Sequence, residues 1–315
     1  MKQLSFASTA YTHKKVTTKR EKFLKEMDQV IPWQRWRDII EPYYPKAGNG
    51  RPPMPLSVML RIYCLQQWYG LSDPGAEEAL YDIECMRTFA GLDLGEDPIP
   101  DETTLLNFRR LLETYQLSDK LFDDVNIYLE EQGIKVSQGS MVDASIIHSP
   151  SSTKNKEKQR DQAMQSTRKG NQYYFGMKVH IGTDVNSNVI HSATVTSANE
   201  ADITELPHLL RDDDQVVFAD AGYTSDSYKR GARALGITWK VNDKRKPKKN
   251  MSTSQKKRNR KNSSIRARVE HCFRVMKCQF GYRKTRYKGL EKNRVQILSL
   301  LSLTNLYMQR GHLMG

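Results

Sequence analysis

The sequence has 315 residues, with 50 Lys and Arg against 36 Asp and Glu, and a formal net charge of +14. It contains no apolar run near the roughly 18 residues that a membrane span needs, no apolar secretory segment at its start, and four cysteines without C-x-x-C spacing. These features exclude a membrane-spanning protein, a disulfide-rich secreted module and a long disordered chain. They predict a soluble, cytoplasmic protein that attracts polyanions such as nucleic acid.

The first third of the chain places apolar residues at helical spacing. We predict helices over residues 55–68, 73–81, 100–115 and 118–131. Asp73 and Pro74 mark the start of the second helix, as cap and first-turn residue. Short helices joined by tight turns are compatible with a helix-turn-helix DNA-binding unit and equally with an ordinary helical bundle. The pattern therefore predicts a helical N-terminal domain over residues 1–132.

Strand-like patterns begin after Gly133. In chain order, this part predicts strands over residues 140–147, 173–182 and 189–196, a helix over 199–211, a strand over 215–220, a helix over 225–235 and a strand over 237–241. A polar insert over residues 151–170 separates the first two strands, and the first three strands are typical of an antiparallel meander. The continuous apolar run before Asp220 suits a strand buried on both faces. This order predicts an α/β domain of the ribonuclease H type, with a mixed sheet, over residues 133–315.

A strongly basic segment follows the last predicted strand. Between Lys244 and Lys261 the chain carries ten cations and no acidic residue. Its polar residues predict a flexible loop over residues 244–262, which is either a solvated loop only or a segment that becomes ordered on a DNA backbone. A helix over residues 264–280 follows this loop. Its core face is predicted to carry Val269, Phe273, Met276 and Phe280.

Three carboxylates stand out by their context. Asp143 and Asp220 each end an apolar strand, the edge at which α/β sheets place their chemistry. Glu270 shares one stripe of the late helix with Arg266 and Lys277. Each acid alone is equally explained by a helix cap or a surface ion pair. Together they provide the oxygen ligands that Mg²⁺ prefers, and two such ions stabilise the attacking and leaving oxygens of a phosphodiester.

These motifs, taken in order, resemble insertion-sequence transposases of the IS5 type, within the IS4-like group of DDE transposases. The resemblance covers nearly the whole chain. In the first domain it rests on Y-P-K-A-G-N-G-R-P-P at residues 44–53 and I-P-D-E-T-T at 99–104. In the second domain it rests on the segments V-D-A-S at 142–145, Y-F-G-M-K at 174–178, D-A-G-Y at 220–223, R-A-R-V-E-H at 266–271 and R-Y-K-G-L at 286–290.

The resemblance implies that Asp143, Asp220 and Glu270 are the catalytic and metal-binding triad. It implies Mg²⁺, with Mn²⁺ as the alternative, and cleavage at inverted-repeat ends followed by strand transfer. In relatives, a Tyr and an Arg precede the glutamate and a Lys follows it. This chain has Ser263 at the tyrosine position and Cys272 where proline is common. The DNA contacts that we expect are made by Arg266, Lys277, Lys178, Arg274, Lys256, Lys257, Arg258 and Arg260.

The implied partners are the double-stranded ends of the element and target DNA. We expect a homodimer when two ends are brought together, no membrane association, and a bacterial cytoplasmic location at the nucleoid. Two other functions stay open: a non-catalytic DNA-binding relative, and a nuclease of the ribonuclease H type that only hydrolyses. His180 and His271 lie near the predicted acids, although a hydrogen-bonded structural histidine is the commoner case.

Overall fold

The protein is described from a computed structural model, which covers residues 14–156, 158–245 and 250–315. The chain divides into two compact units, one formed by Met1–Leu121 with Leu306–Gly315 and the other by Phe122–Asn305. No helix in the described ranges combines the length and the hydropathy needed to cross a bilayer.

The first unit is built from α-helices. They are α1 (Lys19–Val30), α2 (Trp33–Ile40), α3 (Leu56–Tyr69), α4 (Asp73–Asp82), α5 (Glu84–Ala90), α6 (Glu102–Thr114) and the start of α7 (Leu117–Glu131). Helix α4 is capped by Ser72, whose side chain accepts a hydrogen bond from the Gly75 amide, and not by Asp73 as predicted. Asp73 instead accepts two hydrogen bonds from Arg109, at 2.6 and 2.8 Å, and this pair joins α4 to α6.

The second unit contains a six-stranded mixed sheet within the part of the chain that the structure describes. Its strands are β1 (Gly139–His148), β2 (Gln165–Lys169), β3 (Gln172–Asp184), β4 (Ile190–Ser197), β5 (Val216–Phe218) and β6 (Thr238–Trp239). The order is β2-β3-β1-β5-β6, and β4 also pairs with β3. β1 is antiparallel to β3 and parallel to β5. The predicted fold class, a helical N-terminal region followed by a mixed-sheet α/β domain of the ribonuclease H type, is confirmed.

The helices of the second unit follow the sheet along the chain. They are α8 (Leu206–Leu209), α9 (Asp226–Ala234), α10 (Thr253–Arg266), α11 (Val269–Arg274) and α12 (Leu290–Leu313), which extends into the first unit. Only four residues of the helix predicted over 199–211 form α8, after a 3₁₀ turn over Asp202–Glu205. Pro207, which has no amide hydrogen to donate, lies in the first turn of α8.

The segment predicted as a basic loop over residues 244–262 is partly helical. Helix α10 begins at Thr253, because Ser252 and Gln255 form a capping box that satisfies two amides at its start. Lys, Arg and Gln are good helix formers, so a run of them continues the helix once it is capped. Lys246, Lys248 and Lys249 of the same segment lie outside the described residues.

The helix predicted over residues 264–280 is interrupted. Helix α10 ends at Arg266, α11 starts at Val269, and residues Val275–Gln279 form a π-helical turn. The predicted core face is nevertheless confirmed, since Val269, Phe273, Met276 and Phe280 are all buried. The interruption leaves the amphipathic pattern intact.

Candidate active site

Asp143 and Asp220 occupy equivalent positions on neighbouring parallel strands. The last pair between β1 and β5 joins Met141 to Phe218. Asp143 lies two residues beyond Met141, and Asp220 lies two residues beyond Phe218. Because parallel strands run in register, the two carboxylates lie side by side just past the residues that pair β1 with β5. The prediction that Asp143 ends its strand is wrong, since β1 continues to His148 in its pairing with β3.

The Asp143 side chain is held in a mostly enclosed position, with 17% of its surface exposed. Its Oδ2 accepts a hydrogen bond from Arg266 Nη1 at 2.8 Å, and its Oδ1 accepts one from the Ala144 amide at 2.9 Å. Burial, with a smaller contribution from the negative charges of Asp220 and Glu270, raises the pKa of Asp143 to about 6 despite the opposing effect of Arg266. The three acids are therefore close enough to influence one another electrostatically.

Asp220 is positioned by the short turn that it starts. Its Oδ1 accepts a hydrogen bond of 2.7 Å from the Gly222 amide, and it caps the 3₁₀ turn Ala221–Tyr223. A Cβ atom at position 222 would lie 2.9 Å from that oxygen, so a larger residue would displace the carboxylate. Tyr223 anchors the turn in the core with Val142 and Ala219.

Glu270 reaches the same region from the helical side. It lies in the first turn of α11, and 66% of its side chain is exposed. Arg266 Nη2 lies 3.8 Å from Glu270 Oε1, while Nη1 of the same guanidinium holds Asp143. Arg266 therefore bridges an acid of the sheet and an acid of the helix that are 127 residues apart in the sequence.

The Lys277 side chain lies against β1, a few residues beyond Asp143. Its Nζ donates hydrogen bonds to Ser145 Oγ at 2.6 Å and to the Ile146 carbonyl at 2.7 Å. Burial lowers the pKa of Lys277 to about 8, and the nearby cations Lys169 and Arg283 act in the same direction. The ammonium group is thus fixed on the sheet next to the acidic cluster.

Lys178 and His180 project from the other face of the sheet. Ile181 pairs with Asp143, so the residues at positions 178 and 180 point away from the Asp143 face. Lys178 Nζ donates to the Glu200 carbonyl at 2.6 Å and to Asp202 Oδ1 at 2.8 Å. The structure thus gives Lys178 a local structural role, and its contact with DNA stays a prediction.

His180 is fully buried and shares a 2.8 Å hydrogen bond with Thr196 Oγ1. Burial lowers its pKa to about 4, so the imidazole is neutral at pH 7. His271 is exposed. Sequence reasoning missed Asp202, whose only sequence signal is its place in a polar turn after an apolar strand.

Other predicted DNA contacts lie on α10 and α11. Lys256, Lys257, Arg260 and Arg274 are exposed to solvent, whereas Arg258 donates to Asp243 Oδ2 at 2.7 Å. Helix α10 is attached to the preceding segment by Asn259, which exchanges hydrogen bonds of 2.9 and 3.0 Å with the Asp243 backbone. Its basic side chains are therefore displayed on a fixed helix that ends at Arg266.

The donor set suits a hard divalent cation. Asp143, Asp220 and Glu270 offer carboxylate oxygens, and the pKa of Asp143 is raised mainly by burial, with a smaller contribution from the other two acids. Among the described residues, no group of three or more Asp, Glu, His or Cys side chains is arranged closely enough to hold a metal ion. Glu270 is the exposed member of the three acids.

A mixed sheet of the ribonuclease H type, with one acid within a central strand, one just after the neighbouring parallel strand and one on a later helix, defines a class of metal-dependent enzymes that act on nucleic acids. Residues 135–306 match the family model described as Transposase DDE domain, and residues 11–111 match the one described as Transposase domain (DUF772). The first match covers more than half of the chain, so the protein belongs to the family of DDE-domain transposases.

Proposed function

We propose that this chain is the transposase of an IS5-type insertion sequence, which binds the terminal inverted repeats of the element, cleaves the DNA at its ends and joins the strands to target DNA. The observation that carries this proposal is the placement of Asp143 and Asp220 two residues beyond the last pair of adjacent parallel strands. Arg266 connects Asp143 to Glu270 on the helical side.

The three acids are proposed to hold Mg²⁺ or Mn²⁺. When bound, such ions stabilise the attacking and leaving oxygens of the phosphodiester during transfer. The chain itself fixes Asp143 through the Ala144 amide and Asp220 through the Gly222 amide, so both oxygens are oriented in advance. Arg266 balances the charge of Asp143 and stays beside the DNA backbone.

The reaction consists of two phosphoryl transfers. Water first attacks a phosphodiester at the end of the element, and the bond to the 3′ oxygen breaks. The released 3′-hydroxyl then attacks a phosphodiester of target DNA. Neither transfer needs a covalent protein–DNA intermediate. Cations on the exposed side of α10, with Lys277 and Arg274, are proposed to contact the phosphates that flank the reacting group.

The two regions of the chain are assigned different tasks. We assign residues 1–132 to recognition of the transposon end and residues 133–315 to catalysis. The matches to two transposase domain families support this division of labour. Bringing two ends together requires two copies, so a homodimer is proposed for the active complex, which acts on DNA at the bacterial nucleoid.

The test is cleavage of duplexes that carry the inverted repeats found next to the reading frame. Wild-type protein should nick and join these duplexes only with Mg²⁺ or Mn²⁺. Asp143→Asn, Asp220→Asn and Glu270→Gln should each abolish cleavage while gel-shift binding is kept. Asp212→Asn removes an exposed acid from the turn that precedes β5, at the end of the strand opposite Asp220, and should leave cleavage unchanged.

Two outcomes would assign the other functions. Binding without cleavage under every metal condition indicates a non-catalytic DNA-binding protein. Cleavage without any joined donor–target product indicates a nuclease that only hydrolyses. Full cleavage by Asp220→Asn contradicts the assignment of the triad.

A further inference from the structure

A second basic feature of the catalytic unit lies at the end of β1, away from α10. It is a groove of about 560 Å³ between the loop that follows β1 and the segment that precedes α12. Four cations line it, Lys154 and Lys156 on the loop and Arg286 and Lys288 on the opposite segment. All four side chains are exposed.

The segment at residues 283–288 is fixed by backbone pairing with the end of β1. The Thr285 amide donates to the His148 carbonyl at 2.7 Å, and the His148 amide donates to the Arg283 carbonyl at 3.3 Å. Asn293, which is fully buried, donates to the Tyr287 carbonyl at 2.8 Å and to the Gly289 carbonyl at 2.6 Å. This side of the groove is therefore held in place from the core.

The loop side is joined to the same segment by Asp161. Its Oδ2 accepts a hydrogen bond of 2.7 Å from the Gly289 amide, and its Oδ1 accepts one of 3.1 Å from the Ala163 amide. Asp161 is the one acid that lines the groove in the described part of the chain, and both its oxygens serve this structural purpose. The exposed charge of the groove is therefore positive.

The strand that carries Asp143 ends beside the groove. From Asp143, β1 runs five residues to His148, which is about 17 Å at the strand rise of roughly 3.4 Å per residue. Lys277 contacts Ser145 and Ile146 between these two points.

We infer that this groove binds the sugar–phosphate backbone of the DNA substrate, away from the phosphate that reacts at Asp143. The inference rests on the proposed function for the identity of the polyanion. Charge complementarity favours DNA, since four of the described residues that line the groove are cationic and one is acidic. Arg266, Lys277 and the groove then form one continuous path for the backbone.

The test is the salt dependence of duplex binding by the full-length protein, measured by fluorescence anisotropy with a 30-base-pair duplex in EDTA. Each phosphate contact contributes about 0.9 to the slope of log affinity against log salt concentration. We expect the double variant Lys154→Ala/Lys156→Ala to lower this slope by about 1.8. The matched control, Arg230→Ala/Arg233→Ala, removes two exposed cations from α9, which packs on the strand at the other end of the sheet.

The location is checked by photo-crosslinking from an introduced cysteine, in a Cys85→Ser/Cys278→Ser background that leaves only the buried Cys64 and Cys272 of the native cysteines. A probe on Ser152→Cys, which lines the groove, should crosslink to the duplex, and a probe on Ser227→Cys in α9 should not. An unchanged slope for the groove variant, or an equal change for the control, overturns the inference. Stronger competition by polyglutamate than by DNA overturns it too, because it assigns the groove to an acidic protein.

Failure of this inference is distinguishable from failure of the proposed function. Binding in EDTA does not require the triad, so a protein that never cleaves DNA can still show the groove contacts. Conversely, normal metal-dependent cleavage with no effect of the groove variant on binding rejects the groove alone.

Discussion

At the scale of single residues, Asp143 combines features that oppose stability. A carboxylate in a mostly enclosed position, near two further acids, is costly to ionise, and one guanidinium offsets only part of that cost. Such an arrangement is common where a chain must hold a cation or protonate a group, because stability alone does not favour it. Its energetic consequence is a defined dependence of stability on pH.

The first prediction concerns that dependence. The folded chain binds the Asp143 proton more tightly than the unfolded chain, since folding raises this pKa to about 6. Asp143 therefore contributes to the free energy of unfolding at low pH, and this contribution is lost as the pH rises through about 4 to 6. We expect Asp143→Asn to gain stability relative to wild type over this range, by at most about 3 kcal/mol. Urea unfolding at pH 4 and pH 8 without metal measures the change.

The control for this measurement is Asp212→Asn, which should follow the wild-type profile because the exposed Asp212 side chain lies at the other end of β5. Parallel profiles for wild type and Asp143→Asn would contradict the account of Asp143.

The second prediction compares two buried tyrosines. The Tyr223 hydroxyl is buried and has no hydrogen-bond partner among the residues that the structure describes, whereas the Tyr282 hydroxyl donates to Asn293 Oδ1 at 3.3 Å. An unpaired buried hydroxyl loses its hydration without compensation. Tyr223→Phe should therefore leave the free energy of unfolding unchanged or raise it by up to about 1 kcal/mol. Tyr282→Phe should lower it by about 1 kcal/mol, and the reverse order in urea midpoints would refute the comparison.

At the scale of secondary-structure elements, apolar periodicity was sufficient for the central strands. β1, β3, β4 and β5 all fall within one or two residues of the predicted runs, because their buried positions are apolar. β2 was missed, since its five residues are polar and mostly exposed, and only its pairing with β3 makes it a strand. Local apolar patterns reveal which residues are buried, and an exposed edge strand has few buried residues.

The candidate site shows the same limit. The apolar run before Asp220 located the end of β5, but Asp143 lies within β1, which continues to His148. The bridge from Arg266 to Asp143 joins residues 123 positions apart, and no local pattern encodes it. Likewise, the hydrogen bond from Lys178 to Asp202 depends on a turn after β4, and apolar periodicity does not predict that turn.

The third prediction concerns the start of α10. Ser252 accepts a hydrogen bond from the Gln255 amide at 3.2 Å, and Gln255 accepts one from the Ser252 amide at 2.9 Å. With no residue of this helix buried, its order depends heavily on the cap. Ser252→Ala should destabilise the first turn by about 1 kcal/mol, seen as faster amide hydrogen exchange over residues 255–260. Thr253→Ala keeps both capping hydrogen bonds and serves as the control, so equal exchange in the two variants would argue against the cap.

At the scale of the whole molecule, charge is separated. The chain carries a net charge of +14, yet Asp143 lies close enough to two further acids, Asp220 and Glu270, for their charges to raise its pKa. A basic surface favours approach of a polyanion, and an acidic cluster within it favours a small cation. Binding of that cation should relieve the repulsion and stabilise the native state by mass action.

The fourth prediction follows from this linkage. A ligand at 100 times its dissociation constant stabilises the native state by about 2.7 kcal/mol, so saturating Mg²⁺ should raise the thermal midpoint of the wild-type protein by several degrees at pH 7.5 and constant ionic strength. Asp220→Asn should lose most of this rise, because one of the three oxygen-donor groups is neutral. Asp212→Asn should keep it, since that acid lies outside the cluster. Differential scanning fluorimetry with matched NaCl controls measures the effect. An identical rise in all three proteins would show that Mg²⁺ binds elsewhere, and the acidic cluster would then have to be stabilised by Arg266 alone.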